Sequence, residues 1–557
     1  MKNIILILFL FASVVTAQVG YVEYNHPVYN FLERMDALHI IHNYNEFELP
    51  KTRSQIATYL TEAIQNQNML RQTDKKILKD FIIEFEYNLK YSTNNYSSLF
   101  PEFGFNHFNS EKEKFLYFYT DKKEASLFVN FIGNVSVLNQ RNLLSGNSAG
   151  STIFNFGGKV RGSLYNKVGF YIKGTNGTYG GNRKLAINTG SRRYNYKAHH
   201  SVTSSNLGKD FFDETEGYLM ADFNNIDFEI GRNRKTLGYG PVKYLLSNNS
   251  PVMDYLSFNL NYKIFNFSYF HGKLLGIPRT MSDSSQGSIN IVPDKFMVYH
   301  RIGLNFSKHL QLGLGEIVIY ANRSIDLSYL NPFAFYKSVE HANQDRDNSI
   351  LFFDLANNSI EGLKFYSTIM LDDIDFGKLG TGWYGNQILL NLGLYSANFY
   401  KYIPLEISLQ YLRIDPYVFT HRILESNYTN LGFGLGADIP PNSETYILGF
   451  KYYFTYRLSG SMKFEYTLHG ANEEDKNSNV TVNHGGDISV GHRTPDSETV
   501  HFLEGLREVF RNFIFELKYE PINNILFNFS VIYTHRNLKY SQIQKNWISN
   551  FNLSLQF

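Results

Sequence analysis

The sequence predicts an all-β transmembrane barrel, antiparallel and of about 18 strands, with a small N-terminal α-helical bundle on the periplasmic side. Three observations carry this. The 557 residues are 43% hydrophobic and 16% aromatic, with 47 Phe and 41 Tyr, yet mean hydropathy is −0.29. Strands with one face to lipid, one to the lumen and aromatic girdles at both interfaces require that mixture. Apolar and polar residues alternate with period two over the C-terminal three quarters of the chain, the spacing of a two-sided strand. The connections between those strands also sort into short and long, as an up-and-down barrel with short periplasmic turns and long outer loops demands.

Residues 1–17 open with Met1, Lys2 and Asn3, run through an apolar stretch and end on Val15, Thr16 and Ala17. They are expected to be a signal peptide cut after Ala17, taking the mature chain out of the cytoplasm. No later stretch approaches 18 consecutive apolar residues, so any membrane crossing falls to strands. The absence of Cys rules out disulfides and thiolate metal sites. A net charge of +2 gives no case for nucleic acid as a partner.

Residues 18–91 have helical spacing and are assigned to the periplasmic bundle. His26 and Pro27 suit a helix start before Val28, Phe31, Leu32 and Met35. Thr52 and Gln55 have capping-box spacing before Ile56, Tyr59 and Leu60, on a helix expected to expose Arg53. Thr73 is read as the cap of a third helix with Ile77, Leu78, Phe81 and Phe85. Residues 92–124 are a linker leading into the barrel, and 125–557 the barrel itself.

Strands are expected to begin near Leu127, Phe154, Val168, Gly217, Ile226, Tyr255, Phe265, Met297, Leu310, Ile360, Ile388, Leu405, Leu431, Tyr446, Leu458, Asn512, Ile525 and Trp547. The total is even, as single-chain bacterial barrels require. Lys159, Arg161, Glu229, Glu516 and Lys518 should then face the lumen. Asn224 with Asn225, Lys263, and Pro521 to Asn524 read as short periplasmic turns. The stretches Asn176–Glu216, Ala321–Ser359 and His469–Arg511 read as long outer loops. Two long connections, Asp372–Gln387 and Arg413–Asn430, fall on the periplasmic side in this reading and are expected to carry short helices joining the bundle. Glu316 would face lipid, which calls for a bulge. The last strand, WISNFNLSLQF, ends on Phe557; it is similar to the closing strand that the barrel-insertion machinery of outer membranes reads.

Gly231 to Pro251 reads GRNRKTLGYGPVKYLLSNNSP, and Glu316 to His341 reads EIVIYANRSIDLSYLNPFAFYKSVEH. Followed by DRDNSILFFDL and LKFYSTIMLDDIDF, these resemble the capsule assembly protein Wzi family over most of residues 25–380. The resemblance implies an eighteen-strand outer-membrane barrel with a periplasmic helical bundle, acting as a lectin for capsular polysaccharide.

Sugar binding uses aromatic faces for C–H patches and planar cations for hydroxyls and uronates. The candidate residues are therefore Arg232, Arg234 and Tyr239 in one loop and Tyr320, Arg323, Tyr329 and Tyr336 in another. The competing reading pairs the arginines with Glu229, Glu316 or Asp326 to brace the barrel interior. A basic, aromatic loop from Thr178 to Ser205, with Arg183, Arg192, Arg193, Tyr194 and His199, suits acidic glycan or lipopolysaccharide phosphate. Asn343, Asp345 and Asp347 lack the glycine and glutamate of a calcium loop, no catalytic motif is present, and neither cofactor nor metal is expected. The expected partners are surface polysaccharide, outer-membrane lipid and the insertion machinery. The alternative function is a porin-like channel for sugars or other small solutes.

Overall fold

A computed structural model describes residues 19–101, 108, 111–121, 124–188, 190–195, 210–223, 225–283, 285, 287–344, 346–398 and 403–557. The expected signal peptide, Asn224, Asp345 and the loop positions 196–209 lie outside the described residues. Eighteen strands close into one antiparallel barrel. The first nine are β1 (Ala125–Asn142), β2 (Ser148–Leu164), β3 (Val168–Gly181), β4 (Asp210–Asp222), β5 (Ile226–Asn233), β6 (Met253–Tyr262), β7 (Phe265–Leu275), β8 (Asp294–Asn305) and β9 (Leu310–Ala321). The rest are β10 (Asn348–Asn357), β11 (Leu363–Asp373), β12 (Gln387–Ser396), β13 (Leu405–Ile414), β14 (Ser443–Tyr453), β15 (Leu458–Ala471), β16 (Leu506–Ile522), β17 (Ile525–Asn537) and β18 (Ile543–Gln556). β18 closes on β1 from Gln556↔Ile132 to Asn546↔Asn142, and the Phe557 N–H donates to the Phe131 carbonyl at 3.0 Å. Below that seam Tyr117–Asp121 pairs with the start of β1.

Alternation puts apolar side chains outside and polar ones inside: on β5, Phe228 and Ile230 are exposed while Asp227 and Glu229 are buried. Glu229 accepts hydroxyl bonds from Tyr255 (2.6 Å), Ser257 (2.9 Å) and Tyr21 (3.0 Å). Lys159 faces inward to Glu23 at 3.1 Å. Lys159 and then Lys173 hold the Glu23 carboxyl far below its ordinary range.

The short turns gather at one end, where the helical segment docks. Helix α1 (Pro27–Ala37) starts at Pro27 as expected, with the His26 ring accepting from Val28 N–H. Helix α2 (Arg53–Gln65) begins in a complete capping box between Thr52 and Gln55. Arg53 is buried rather than exposed, stacked on Phe85 and bonded to Asn88. Helix α3 (Gln72–Glu84) starts one residue before Thr73, and its N-cap, Arg71, makes no side-chain capping bond. A fourth helix, α4 (Glu86–Lys90), completes the segment. The helices share a core with Tyr453 at the end of β14 and Tyr456 of the turn below it. They are fixed to the wall through Arg34, which reaches Asp74 (2.5 Å) and Glu406 (2.9 Å), and through Asp36 and Lys364 (3.3 Å). Beyond α1 the chain enters the lumen: Glu48–Leu49 pairs with Thr236–Leu237, and Phe47 lies parallel to Phe352 at 5.6 Å.

One strand was unseen in the sequence and one was misplaced. β10 lies inside the expected outer loop Ala321–Ser359, and the expected strand at Leu431 is only a two-residue hairpin, Thr429–Asn430 with Phe433–Gly434, in the loop 415–442. The errors cancel in the total but reverse the side of everything between them. Connections 374–386 and 415–442 therefore lie at the long-loop end, away from the helices, which removes both long exceptions from the helical end, while two connections at the long-loop end, 143–147 and 538–542, are short.

Candidate functional site

The loop after β5 turns into the barrel. Gly238 and Gly240 adopt positive φ (122° and 86°), and a Cβ at Gly240 would lie 2.5 Å from the Tyr366 hydroxyl. Tyr239, Tyr244, Leu245 and Leu246 are fully buried in the largest apolar cluster, with Phe47, Met297, Phe352, Tyr428 and Leu435. Tyr239 donates to Asp354 at 3.0 Å. This loop, the N-terminal strand and loop 415–442 together fill the lumen along the β5–β13 wall.

The two candidate arginines diverge. Arg232 points out of the barrel, exposed, with Asp254 at 2.7 Å and the Thr215 carbonyl at 3.2 Å. Arg234 points in and is buried, donating to the Ser250 carbonyl at 3.0 Å with Glu216 at 3.6 Å and Glu214 at 3.8 Å. Burial opposes its charge, but Tyr24, Glu214 and Glu216 outweigh burial and raise its pKa. It lines a polar cavity of about 150 Å³ with Glu23, Tyr24, Tyr171, Lys173 and Tyr218.

The second group, Tyr320, Arg323, Tyr329 and Tyr336, lies elsewhere. Segment 322–347, after β9, folds down over the outside of the wall. Tyr329 and Tyr336 pack with Tyr320, Phe267, Tyr269, Phe296 and Val298, outward residues of β7–β9. Arg323 makes a two-bond pair with Asp347 (2.6 and 2.7 Å) and a third contact with Asp326 (3.2 Å), so its pKa is raised despite burial. Arg323 thus meets Asp326, one of the partners of the brace reading, but its main partner is Asp347 and the pair lies outside the wall rather than in the barrel interior. Tyr239, Tyr320, Tyr329 and Tyr336 are fully buried, so none of the four presents a ring face to a ligand in this conformation.

Glu316 does face outward, without a bulge. His300 Nε2 meets its carboxylate at 2.8 Å, and the backbone N–H groups of Tyr336 and Lys337 donate to it at 2.9 and 3.0 Å. Those N–H groups open helix α6 (Tyr336–Ala342), which follows the helix α5 (Arg183–Asn188) of the β3–β4 loop.

That basic loop also folds inward in part. Leu185, Ala186 and Ile187 pack on Leu138, Ile153 and Phe212, and Arg193 pairs with Asp438 at 2.7 Å. Lys197, His199 and His200 lie outside the described residues.

An open cleft of about 280 Å³ remains at the rim of the long-loop end, lined by Lys337, Glu340, Asp373, Tyr384, Gln387, Arg422 and His492 among others. The Tyr384 and His492 rings stack at 3.5 Å, 10° from parallel. A planar aromatic pair with two cations, carboxylates and an amide at its edge is the equipment of a sugar site: C–H faces on the rings, hydroxyls and uronates on the polar groups. None of these residues was chosen from the sequence as a binding candidate. The signal was Trp383–Tyr384 between two strands, hidden because that connection was assigned to the periplasmic side.

The family model for capsule assembly protein Wzi matches residues 134–500, well over half of the chain. The chain belongs to the Wzi family. Among solved structures it is similar to Escherichia coli Wzi, described as an outer membrane protein involved in group 1 capsule assembly and a carbohydrate-binding β-barrel. Identity is 13% and TM-score 0.57, over 96% of this chain and 99% of that one. A BenF-like porin from Pseudomonas fluorescens Pf-5 follows at 10% identity and TM-score 0.45, over 77% of this chain and 99% of that one. Pseudomonas aeruginosa OccK8 (OprE) stands at 10% and 0.43, over 77% and 98%. No curated protein sequence matches. Within this Wzi-family chain, two of the stretches that carry the resemblance leave the strand pattern, one turning into the lumen and the other covering the outer wall, while the other two supply β10 and β11.

Proposed function

We propose that this protein lies in the outer membrane of a Gram-negative bacterium, with its helical bundle in the periplasm. There it binds surface polysaccharide, capsular or exopolysaccharide, and helps assemble or anchor it at the cell surface without turnover. Membership of the Wzi family over residues 134–500 carries the proposal. The rim cleft with its Tyr384–His492 stack supplies a contact surface at the end away from the bundle, and Arg232 is an exposed cation on the outer wall. Retention of acidic glycan by the purified protein, and loss of cell-bound capsule on deleting the gene, are the expected results. Full capsule retention in the deletion strain would end the proposal.

A second reading, a channel for sugars or other small solutes, draws on inward side chains of β15 and β16 that keep partial exposure: Lys463 (28%), Glu465 (17%), Glu516 (29%) and Lys518 (46%). Steady conductance in planar bilayers would favour it; silence with glycan retention favours binding.

A further inference from the structure

Segment 322–347 is built unlike a loop in water. Its underside buries Tyr329 and Tyr336 on the barrel wall, while its outer side turns Ile325, Leu327 and Phe335 away from the protein, Leu327 at 79% exposure, and leaves Phe333, which stacks one face on Phe267 at 4.9 Å, 66% exposed. The wall beneath is the polar exception in an apolar belt, since Glu316, His300 and His271 all face outward there. The Pro332 carbonyl meets His300 Nδ1 at 2.9 Å and the Asn331 carbonyl accepts from the Tyr336 hydroxyl at 3.0 Å. The segment thus satisfies the wall's polar groups and offers apolar ones in their place.

Its position fits the same purpose. Glu316 is near the middle of β9, roughly 15 Å above the lower end for a tilted strand, inside the ~25 Å apolar band of such barrels. Around the segment the lipid-facing wall continues in exposed Leu314 and Ile302 below, Phe353 on one flank and Ile230 on the other. Asn322, His341 and Arg346 are exposed polar residues of the same segment, the pairing of apolar and polar groups that an element lying in the membrane interface carries.

We propose that the 325–335 part of this segment is seated in the outer leaflet of the membrane, with Ile325, Leu327, Phe333 and Phe335 among the acyl chains. It seals the Glu316–His300 node from lipid and extends the barrel's membrane footprint. This seat rests on the barrel's proposed membrane placement and does not depend on glycan binding.

The chain has no Cys, so Leu327→Cys gives a unique nitroxide site. It is compared with Ile230→Cys on the belt and Tyr540→Cys in the β17–β18 connection, each in the full protein in phosphatidylethanolamine–phosphatidylglycerol vesicles. Leu327→Cys is expected to show the high oxygen and low nickel-chelate relaxation of Ile230→Cys, and Phe333→Cys to repeat the result if the first variant fails to fold. Nickel-chelate access equal to that of Tyr540→Cys overturns the proposal. Spin–spin broadening at Leu327→Cys that disappears on mixing with unlabelled protein also overturns it, because a second copy would then be the occupant. If Ile230→Cys is itself open to the nickel chelate, the membrane placement fails and the proposal fails with it, whatever the glycan assays give.

Discussion

Arg301 of β8 and Asp354 of β10 form a two-bond ion pair inside the barrel, at 2.7 and 2.8 Å, and Tyr239 of the lumen loop donates to the same carboxylate. Both charged residues are buried. One pair therefore ties two wall strands to the plug that lies along the β5–β13 wall. A buried guanidinium left without its carboxylate costs about 3–5 kcal/mol, so Asp354→Ala is expected to lower stability by that amount. The check is the temperature at which the protein loses its compact, heat-modifiable migration in gels. Asp354→Asn keeps an acceptor for Tyr239 and is expected to lose less; equal losses would mean the ion pair is not what holds the plug.

Glu113, in the short strand Glu113–Phe115 just before the barrel, gives a pH dependence. Burial first, then the nearby Glu84 charge, push its carboxyl up to about 7, although Asn524 donates to it at 3.0 Å. In the unfolded chain it titrates near the ordinary value of about 4.3, so the folded state binds the proton more tightly. Its stabilising contribution is complete below the unfolded value and is lost as pH rises through the folded one. Asp80 of α3, pushed up to about 6 mainly by burial, acts in the same direction. Amide exchange at residues 113–115, corrected for intrinsic rates, should lose protection between about pH 5 and pH 8. Glu113→Gln should flatten that profile, and an unchanged profile in the variant would exclude Glu113 as the cause.

The two arginines of the Gly231–Pro251 stretch should behave oppositely. Arg232 and Asp254 form an exposed pair, worth about 0–1 kcal/mol. Arg234 stands buried among Glu214, Glu216 and the Ser250 carbonyl, and its removal leaves buried acceptors unpaired at about 1–3 kcal/mol each. Arg232→Ala is therefore expected to keep the barrel's melting temperature and report on glycan retention alone, whereas Arg234→Ala lowers stability. Equal melting temperatures would show that water replaces the Arg234 contacts without loss.

Seventeen of the eighteen strands and the docked helices were legible because most of the wall obeys one rule, apolar out and polar in. β10 breaks it: its inward Ile350 and Phe352 face the apolar plug, so NSILFFDLAN carries no period-two signal. The hairpin around Leu431 imitates the rule because Leu435 packs on that same plug. Glu316 was visible as an anomaly, but its remedy comes from α6, a tertiary contact that local spacing cannot encode. The tyrosines chosen as sugar platforms were the right chemistry in segments that fold onto the protein itself. The Tyr384–His492 stack joins residues more than a hundred positions apart, and only the ring closure brings them together.

The rim cleft makes the last prediction. Tyr384 and His492 offer a flat surface, and Lys337 and Arg422 stand at its edge. An aromatic contact is worth about 0.5–1.5 kcal/mol beyond area burial, so Tyr384→Ala should weaken acidic-glycan binding by roughly three- to tenfold while Tyr384→Phe keeps most of it. Arg422, exposed and within reach of the Gln344 carbonyl at 3.4 Å, would act through charge, which added salt screens over about 8 Å at physiological strength. Arg422→Ala should therefore flatten the salt dependence of binding, measured by titration with a uronate-containing oligosaccharide, whereas Tyr384→Ala should leave its slope unchanged. If both variants bind as the parent does and the barrel remains intact, the glycan is held elsewhere and the cleft is not the site.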